Sequence, residues 1–600
     1  MDISLASCLD PLRGTRLRPP FYGLAPPEHL SMAGSSLLHG KDARLQLRAI
    51  LHERERELQV LRALFKSSAA INKLPQELLV AIFRELQIQH TDWLDVLRVC
   101  RHWFVVGSTA AILWRTLWVS DSTNLLRTGL ARSRAAEVEI VITKFLSRLL
   151  PDVTALITTH VHRVYNLELG SIPRKCLPAF TDIMRRDMPV LRTLQVYFET
   201  LEDEDIALEL PPARFPRLTD VLIANIQILT TPAIVSQLRE IRILACHGRS
   251  TPITTATFVH AIRAMRNVKV LCLKDVYACD TGSAPILPAM DKVGLDQLRT
   301  LVVHTHASLV QAMLSAVIIP ATANVSFTCL VSDAPQADGS HTLQAVVPGD
   351  AECLPILSEV VEVSVTTAWT SSDCELAGYT TPDDRPEYDT RYGPRLSPDI
   401  EFRLRRPEDA NESDFWLPLG LRDLTYVFPR GRAPLQSLII RTAPAVVSAT
   451  DWADLFSTYP ALRTLQMTVS DEEDAPCASM IFAALSPRSA AGSETDAHGA
   501  LQIGGAEDAD TIPCPNLRCL TLVGLSASDP DSLVATAGAY LESRKRVLGA
   551  SEGRMDRVVV NLKDHDDEAH FYAVQAAFEE RLAPLVDYVA YRTSYMYYPD

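Results

Sequence analysis

Between residues 160 and 562, apolar residues recur in one short pattern: an apolar residue, two variable positions, a second apolar residue, one variable position and a third apolar residue. Seven clear copies are Leu191/Leu194/Val196, Leu218/Val221/Ile223, Leu238/Ile241/Ile243, Val268/Leu271/Leu273, Leu298/Leu301/Val303, Leu462/Leu465/Met467 and Leu517/Leu520/Leu522. Weaker copies are Val164/Leu167/Leu169, Val360/Val363/Val365, Leu435/Leu438/Ile440 and Met555/Val558/Val560. The last two apolar residues of a copy fall on one face of an extended strand. Each copy therefore predicts a β-strand with one buried face.

The spacing of the copies predicts how the strands are connected. From Val164 onward, successive first apolar residues lie 27, 27, 20, 30 and 30 residues apart. One strand plus one helix needs about 20–30 residues, as in a leucine-rich repeat, and the intervening segments 254–265 and 450–459 have helical spacing. The predicted fold class is α/β, with parallel strands and helices behind them in an irregular leucine-rich-repeat solenoid. The alternative is a collection of unrelated amphipathic strands.

Composition sets the predicted domain boundaries. Residues 1–41 are rich in Pro, Gly and Ser and predict a flexible tail. Residues 121–600 form the predicted repeat array, interrupted near 368–416 and 486–514 by Pro-, Gly-, Asp- and Ser-rich stretches without the pattern. We expect these two stretches to be long, partly disordered insertions.

An amphipathic helix is predicted over residues 42–70. Its apolar residues recur at helical spacing among charged residues: Leu47, Ile50, Leu51, Leu58, Leu61 and Phe65. We expect this helix to pack onto the domain that follows it. A short self-associating coiled coil is the alternative, although fewer than four heptads are available.

Three short helices are predicted in residues 71–120. Pro75 suits the first position of the first helix, which has one broad apolar face. Thr91 or Asp92 can cap a second helix, which Gly107 would end, and Ser108 can cap a third. The third helix carries Ile112, Leu113, Trp114 and Leu117. Three helices of this length cannot bury so much apolar surface among themselves, so a partner is expected.

Composition and charge narrow the class of partner. The chain has 58 basic and 73 acidic residues, a net charge of −15, and no extended basic cluster, which argues against nucleic acid as the main partner. No secretory signal and no membrane span are expected from the sequence. The 12 cysteines are scattered without a CxxC pair, which favours a reduced protein in the cytoplasm, the nucleus or both.

The segment from Leu74 to Leu117 resembles an F-box. Its motif positions are Leu74, Pro75, Glu77, Leu78, Leu79, Ile82 and Phe83, then Val99, Cys100, Arg101 and Trp103, then Trp114 and Leu117. A charged helix before this segment and degenerate leucine-rich repeats after it are similar to F-box proteins of mushroom-forming fungi. The F-box covers only about 50 of the 600 residues, and the repeats lack the Asn expected at their ninth position.

The resemblance implies a substrate receptor of an SCF-type ubiquitin ligase. The F-box would bind a Skp-family adaptor and, through it, a cullin, while the repeats hold a target protein whose binding residues are not assigned. The expected adaptor contacts are Leu74, Pro75, Leu78, Leu79, Ile82, Phe83, Leu86, Val99, Cys100, Trp103 and Trp114. The alternative is a leucine-rich-repeat scaffold that does not serve a ligase.

Catalytic and metal-binding patterns in the sequence carry little weight. Gly549, Ser551 and Gly553 match the G-x-S-x-G motif of hydrolases, but here a helical segment precedes the motif and an apolar strand follows it, which is the reverse of the required order. His304 and His306 share a strand face without a third ligand at suitable spacing. We therefore expect no catalytic residues, no metal and no cofactor, and a non-enzymatic protein.

Overall fold

The protein is described here from a computed structural model. The described residues are 41–68, 70–89, 93–119, 123–142, 150–173, 176–199, 207–225, 227–229, 232–244, 254–276, 291–330, 342–348, 351–367, 373–381, 397–405, 416–430, 432–442, 447–469, 478–487, 512–525, 530–562 and 568–593. The predicted tail and most of the stretch 486–514 lie outside them. The chain divides into two compact units, Met1–Ser108 and Thr109–Asp600. The predicted boundary at 120/121 between F-box and repeats therefore differs from the division between the units.

The described part of the first unit is helical. It contains α1 (Lys41–Ser68), a 3₁₀ helix (Ala70–Lys73), α2 (Gln76–Gln89), a second 3₁₀ helix (Trp93–Arg98) and α3 (Arg101–Thr109). The apolar residues of α1 whose side chains are described are exposed along its length, so they do not show the predicted packing onto the next domain. Pro75 immediately precedes α2, next to the position that the sequence predicted.

The second and third predicted helices of residues 71–120 differ from the structure. The segment predicted as the second helix is a 3₁₀ helix followed, after Val99 and Cys100, by α3. Gly107 does not end a helix but lies inside α3. The predicted third helix is a single 3₁₀ turn, Ala111–Trp114, followed by the strand β1 (Thr116–Val119). Leu117 therefore lies on a strand, because β1 pairs in parallel with β2 (Val138–Ile142).

The described residues of the second unit include a 17-stranded sheet. The remaining strands in chain order are β3 (Val164–Ile172), β4 (Thr193–Phe198), β5 (Ala207–Glu209), β6 (Asp220–Ala224), β7 (Gln227–Leu229), β8 (Glu240–Leu244), β9 (Val270–Val276), β10 (Val293–Gly294), β11 (Thr300–His306), β12 (Val317–Ile318), β13 (Asn324–Leu330), β14 (Glu362–Thr367), β15 (Asp373–Tyr379), β16 (Ile400–Arg405), β17 (Ser437–Thr442), β18 (Thr464–Val469), β19 (Cys519–Leu525), β20 (Met555–Leu562) and β21 (Val586–Thr593). The pairs β5–β7 and β10–β12 form two small separate sheets.

Strands join the large sheet almost in chain order. Strands β1 to β4, β6, β8, β9, β11 and β13 are each paired in parallel with the next, and β17 to β21 continue in the same way. Between these two runs β15 is antiparallel to both β14 and β16, while β13 pairs with β16 and β14 with β17. The predicted parallel sheet is present, with one antiparallel strand inserted.

Helices connect the strands of the second unit. They are α4 (Thr123–Arg132), α5 (Leu150–His160), α6 (Leu177–Met184), α7 (Pro232–Val235), α8 (Thr255–Ala264), α9 (Ala307–Ala316), α10 (Trp416–Arg430), α11 (Ala449–Thr458), α12 (Ala478–Leu485), α13 (Pro530–Leu548) and α14 (Glu568–Leu582). Most pairs of consecutive helices are in contact, including α4 with α5 and every consecutive pair from α10 to α14. One hydrophobic cluster extends from Leu117 on β1 to Tyr591 on β21.

All eleven copies of the apolar pattern coincide with strands of the large sheet. Their apolar residues are buried, except for Ile243, which is half-buried. Side chains on β4 and β11 alternate strictly between buried and half-buried, so one face of the sheet packs into the core and the other is more open. Alternation of this kind confirms the predicted strand faces.

A backbone ladder joins equivalent positions of neighbouring repeats. In nine of the eleven copies, the residue after the first apolar residue donates its N–H to the carbonyl of the corresponding residue of the preceding copy, at 2.7–2.9 Å. The pairs are Arg192–Tyr165, Thr219–Arg192, Arg239–Thr219, Lys269–Arg239, Arg299–Lys269, Gln436–Val361, Arg463–Gln436, Arg518–Arg463 and Asp556–Arg518. The same backbone hydrogen bond therefore recurs at the same position of the apolar pattern.

The predicted insertion 368–416 is partly structured. Its described residues include β15 and β16, which lie in the large sheet between β14 and β13. Cys374, Leu376, Phe402 and Leu404 are fully buried. These strands alternate apolar and polar residues without the spacing of the repeat pattern, which is why that pattern did not reveal them.

Candidate functional site

The inner side of α2 forms the core of the first unit. Leu79 and Phe83, four residues apart on one helical face, are both fully buried. The Phe83 ring lies 5.1 Å from the Trp103 ring of α3, centroid to centroid, at an angle of 56°. Aromatic pairs in this range of distance and tilt stabilise a core beyond their buried area alone. Phe83 and Trp103 therefore hold α2 and α3 together.

A polar contact joins α3 to the 3₁₀ helix that precedes α2. The indole N–H of Trp103 donates to Asn72 Oδ1 at 2.6 Å, and the Cys100 thiol lies 3.8 Å from the same oxygen. The backbone N–H of Trp103 donates to Cys100 Sγ at 3.5 Å. Cys100 and Trp103 thus have structural partners in Asn72, a residue that sequence reasoning missed. Its only signal in the sequence is a polar residue two positions before the Leu74-Pro75 pair.

Gly107 permits close packing within the first unit. A Cβ atom at this position would lie 2.2 Å from Leu97 Cδ2 and 3.7 Å from Phe83 Cδ2. Gly107 is fully enclosed and lies within α3, so a side chain there would require Leu97 to move. Close approach to Leu97, rather than helix termination, explains the glycine.

The outer side of the same helices is apolar and exposed. On α2, Leu78 is 51% exposed and Ile82 is 37% exposed. Val99, just before α3, is 46% exposed, and Phe104 and Val105 on α3 are each 48% exposed. Several large apolar side chains this exposed on two neighbouring helical segments are typical of a surface that binds another protein. We call these five residues the outer apolar surface.

The eleven residues predicted to contact an adaptor fall into three classes. The exposed residues are Pro75, Leu78, Ile82 and Val99; the half-buried ones are Leu74, Leu86, Cys100 and Trp103; the buried ones are Leu79, Phe83 and Trp114. The three buried side chains are packed inside the protein, and contact of the eleven residues with an adaptor stays a prediction. Trp114 lies in the second unit. The Arg132 guanidinium carbon lies over the Trp114 ring, 4.6 Å from the ring centroid.

Two exposed residues were missed by sequence reasoning. Phe104 and Val105 lie immediately after Trp103 but carry no motif position, so the motif gave no reason to select them. Only the turn of α3 shows that they point outward while Val106 is buried.

The open face of the large sheet carries polar side chains in pairs. Arg403 on β16 contacts Glu375 at 2.6 Å and Glu401 at 2.9 Å. His304 Nδ1 on β11 lies 3.2 Å from the carboxylate of Asp275, and burial lowers the pKa of His304 despite that carboxylate. Within the described part of the chain, no group of three or more His, Cys, Asp or Glu side chains is arranged to hold a metal ion.

The G-x-S-x-G segment lies in a connection of the order that the sequence predicted. Helix α13 ends at Leu548 and β20 begins at Met555, and the N–H of Gly553 donates to the carbonyl of Gly549 at 2.9 Å. The segment is a helix-to-strand turn, as predicted.

Among the helices of the described residues, none has the length and apolar character to cross a membrane.

Comparison with known proteins identifies one region. No curated protein matched the chain. The family model F-box-like matches residues 71–120, which contain α2, α3, the outer apolar surface and β1. The chain therefore contains an F-box-like domain at residues 71–120.

Proposed function

We propose that this protein is the substrate-recognition subunit of an SCF-type ubiquitin ligase. The F-box-like domain binds a Skp-family adaptor, as F-box domains typically do, and the adaptor connects it to a cullin. F-box proteins are generally non-catalytic adaptors, so ubiquitin transfer belongs to the partners. The observation that carries the proposal is the exposure of Leu78, Ile82 and Phe104 within the region matched by the F-box-like family.

Adaptor contact is assigned to the outer apolar surface. Leu78 and Ile82 are one helical turn apart on α2, so both can enter one groove of a partner. A fully buried apolar side chain contributes about 1.5–3 kcal/mol, and association costs about 4–15 kcal/mol. Several of these side chains must therefore act together, and loss of three of them should abolish binding.

Buried residues of the F-box-like domain act by shaping this surface. The buried Leu79 and Phe83, with the half-buried Trp103, fix the rotation of α2 and its position against α3. Because Leu78 and Ile82 follow the same helix, their outward direction depends on that packing. Substitution of Phe83 would weaken adaptor binding through unfolding of the domain, whereas substitution of Ile82 would weaken it directly.

Target binding is assigned to the second unit. The repeated backbone ladder and the eleven matching strands support an array of degenerate leucine-rich repeats. Repeat arrays bind proteins on extended surfaces built from equivalent positions of successive repeats. Here the open face of the sheet supplies such positions, including Gln195 on β4 and Arg242 on β8.

Affinity purification of three chains from cells tests the proposal. The chains are the wild type, a Leu78→Asp/Ile82→Asp/Phe104→Asp variant, and a Val547→Asp/Tyr572→Asp control with exposed apolar residues of α13 and α14 replaced. Adaptor and cullin should accompany the wild type and the control and be lost from the triple variant, while proteins bound to the repeats remain. Equal recovery of the adaptor from all three chains would overturn the proposal.

Cullin recovery separates a ligase subunit from the alternative scaffold. A receptor should copurify with cullin as well as adaptor, and its bound target should accumulate when the protein is removed. Adaptor without cullin, together with unchanged target levels, would instead indicate a leucine-rich-repeat scaffold.

A further inference from the structure

Helix α1 has an apolar stripe that the chain leaves exposed. The helix is 28 residues long, and Leu47, Leu51, Leu58 and Leu61 are between 49% and 62% exposed. These four leucines are three, four and seven residues apart, the spacing of positions a and d in a heptad repeat written abcdefg. With Leu51 and Leu58 at a, and Leu47 and Leu61 at d, Phe65 occupies the next a position of the sequence.

We propose that α1 pairs with α1 of a second copy of this chain as a parallel two-stranded coiled coil. The inference goes beyond the proposed ligase role and does not depend on it. In proteins most of the stability of a helix comes from packing its apolar face rather than from helix propensity. The part of the chain that the structure describes leaves these leucines in solvent, and a second α1 has the matching stripe.

The charges beside the stripe select the parallel orientation. In a parallel pair, a g residue faces the e residue five positions later on the other helix. Glu57 is at g and Arg62 is at e. Glu57 of each helix therefore faces Arg62 of the other, which gives two equivalent contacts. Opposite charges meet between Glu57 and Arg62. At the core position d, Arg54 faces Arg54 of the other helix, and Glu55 of that helix lies beside it.

An antiparallel pair that keeps the whole stripe would bring like charges together. Residues at e then face e, and residues at g face g. Glu55 would face Glu55, Glu57 would face Glu57, and Arg48 would face Arg62. Antiparallel registers shifted by one heptad remove this repulsion but leave leucines at one end of the stripe unpaired. The sequence therefore disfavours the antiparallel arrangement.

The contact that Arg54 and Glu57 make within one helix does not oppose pairing of two helices. Arg54 contacts Glu57 at 2.6 Å within the same helix, with side-chain exposures of 72% and 51%. An ion pair this exposed contributes little to stability, so Glu57 is available to Arg62 of a second copy. Arg54 itself occupies a core position, where a polar residue fixes register and lowers stability.

The oligomeric state of the full chain tests the proposal, measured by sedimentation equilibrium over a range of concentrations. The test variant is Leu51→Asp/Leu58→Asp. The matched control is Leu45→Asp/Val60→Asp, which replaces residues of the same helix that are 61% and 59% exposed but lie off the stripe. The wild type and the control should dimerise with dissociation constants within about twofold of each other. The test variant should dissociate at least about tenfold more readily.

Two further variants test orientation and core position independently of folding. Glu57→Arg should weaken the dimer, and adding Arg62→Glu should restore it, whereas an antiparallel pair would not respond to Glu57→Arg alone. Arg54→Leu should strengthen the dimer. A wild type that is monomeric at every concentration would overturn the proposal, as would equal weakening by the stripe and off-stripe variants. A dimer indifferent to Glu57→Arg would overturn the parallel arrangement.

Discussion

Trp103 on α3 donates its indole N–H to Asn72 Oδ1 at 2.6 Å, which joins the beginning of the F-box-like domain to its third helical segment. Asn72 lies just before Leu74 and Pro75, where the chain enters α2, so this bond fixes the start of α2 against α3. The outer apolar surface is built on the same two helices. Its geometry therefore depends on a polar contact beneath it.

Asn72→Ala should destabilise the first unit by about 1–3 kcal/mol, because the indole N–H of Trp103 loses its acceptor in a partly buried position. Hydrogen exchange measured by mass spectrometry should show faster exchange in peptides covering residues 76–109. A Gln46→Ala variant on the exposed surface of α1 serves as the control. Unchanged protection of α2 and α3 in the Asn72 variant would show that the bond does not stabilise them.

Gly107→Ala should destabilise the same unit by about 1 kcal/mol or more, because the new Cβ would lie 2.2 Å from Leu97 Cδ2. Since that atom belongs to a side chain, Leu97→Ala should make room for it. The double variant should therefore lose less stability than the two single variants added together. Chemical denaturation of the four proteins in a double-mutant cycle measures the difference, and strict additivity would contradict the close contact.

Arg544→Met should lower the melting temperature of the second unit. Arg544 is fully buried and donates to the carbonyls of Cys514, Pro515 and Leu517 at 2.6–2.8 Å. Hydrogen bonds from a charged group contribute about 1.5–3 kcal/mol each, and removal of the buried charge offsets part of their loss. Scanning calorimetry tests whether the Arg544 hydrogen bonds stabilise the second unit. Arg546→Met, at an exposed position of the same helix, is the control. Equal melting temperatures would contradict it.

Asp423 should make stability depend on pH. The carboxylate is buried in α10 and accepts from the N–H of Leu343 at 2.9 Å, and burial raises its pKa to about 7. Because the folded pKa exceeds the unfolded value near 4, the protonated form favours folding, and this contribution is lost as pH rises from about 4 to 7. The free energy of unfolding of Asp423→Asn should therefore gain on that of the wild type as pH rises. The difference between the two proteins should shift in favour of the variant by on the order of 2 kcal/mol from pH 5 to pH 8. Denaturant titration at both pH values measures this, and an equal difference at both would contradict the raised pKa.

The repeated strands were predictable from sequence because one side of each strand is buried. A strand with one buried face must alternate apolar and polar residues. The buried pairs Leu194 with Val196 and Leu301 with Val303 show this alternation in the sequence. β15 was not predictable in this way. Its apolar residues lack the spacing that marks the parallel repeats, and its antiparallel pairing with β14 and β16 departs from the parallel order of the other strands.

The F-box-like domain was predictable as a region but not in its detail. Apolar residues cover two neighbouring sides of α2, so sequence spacing could not distinguish Leu78, which is exposed, from Leu79, which is buried. The segment around Leu117 was predicted as helix because a short apolar run fits either helix or strand. In the structure this segment pairs with β2, about 20 residues later in the sequence, and is therefore a strand.

The most direct test of the proposed function is the affinity of the purified chain for a purified Skp-family adaptor, measured by calorimetry. The wild type and the Val547→Asp/Tyr572→Asp control should bind it as a one-to-one complex with the same affinity. Single substitutions Leu78→Asp and Ile82→Asp should each weaken binding at least about tenfold, while leaving the melting temperature unchanged. No binding by the folded wild type, or equal affinity of the wild type and the Leu78 and Ile82 variants, would contradict an adaptor-binding role for the outer apolar surface.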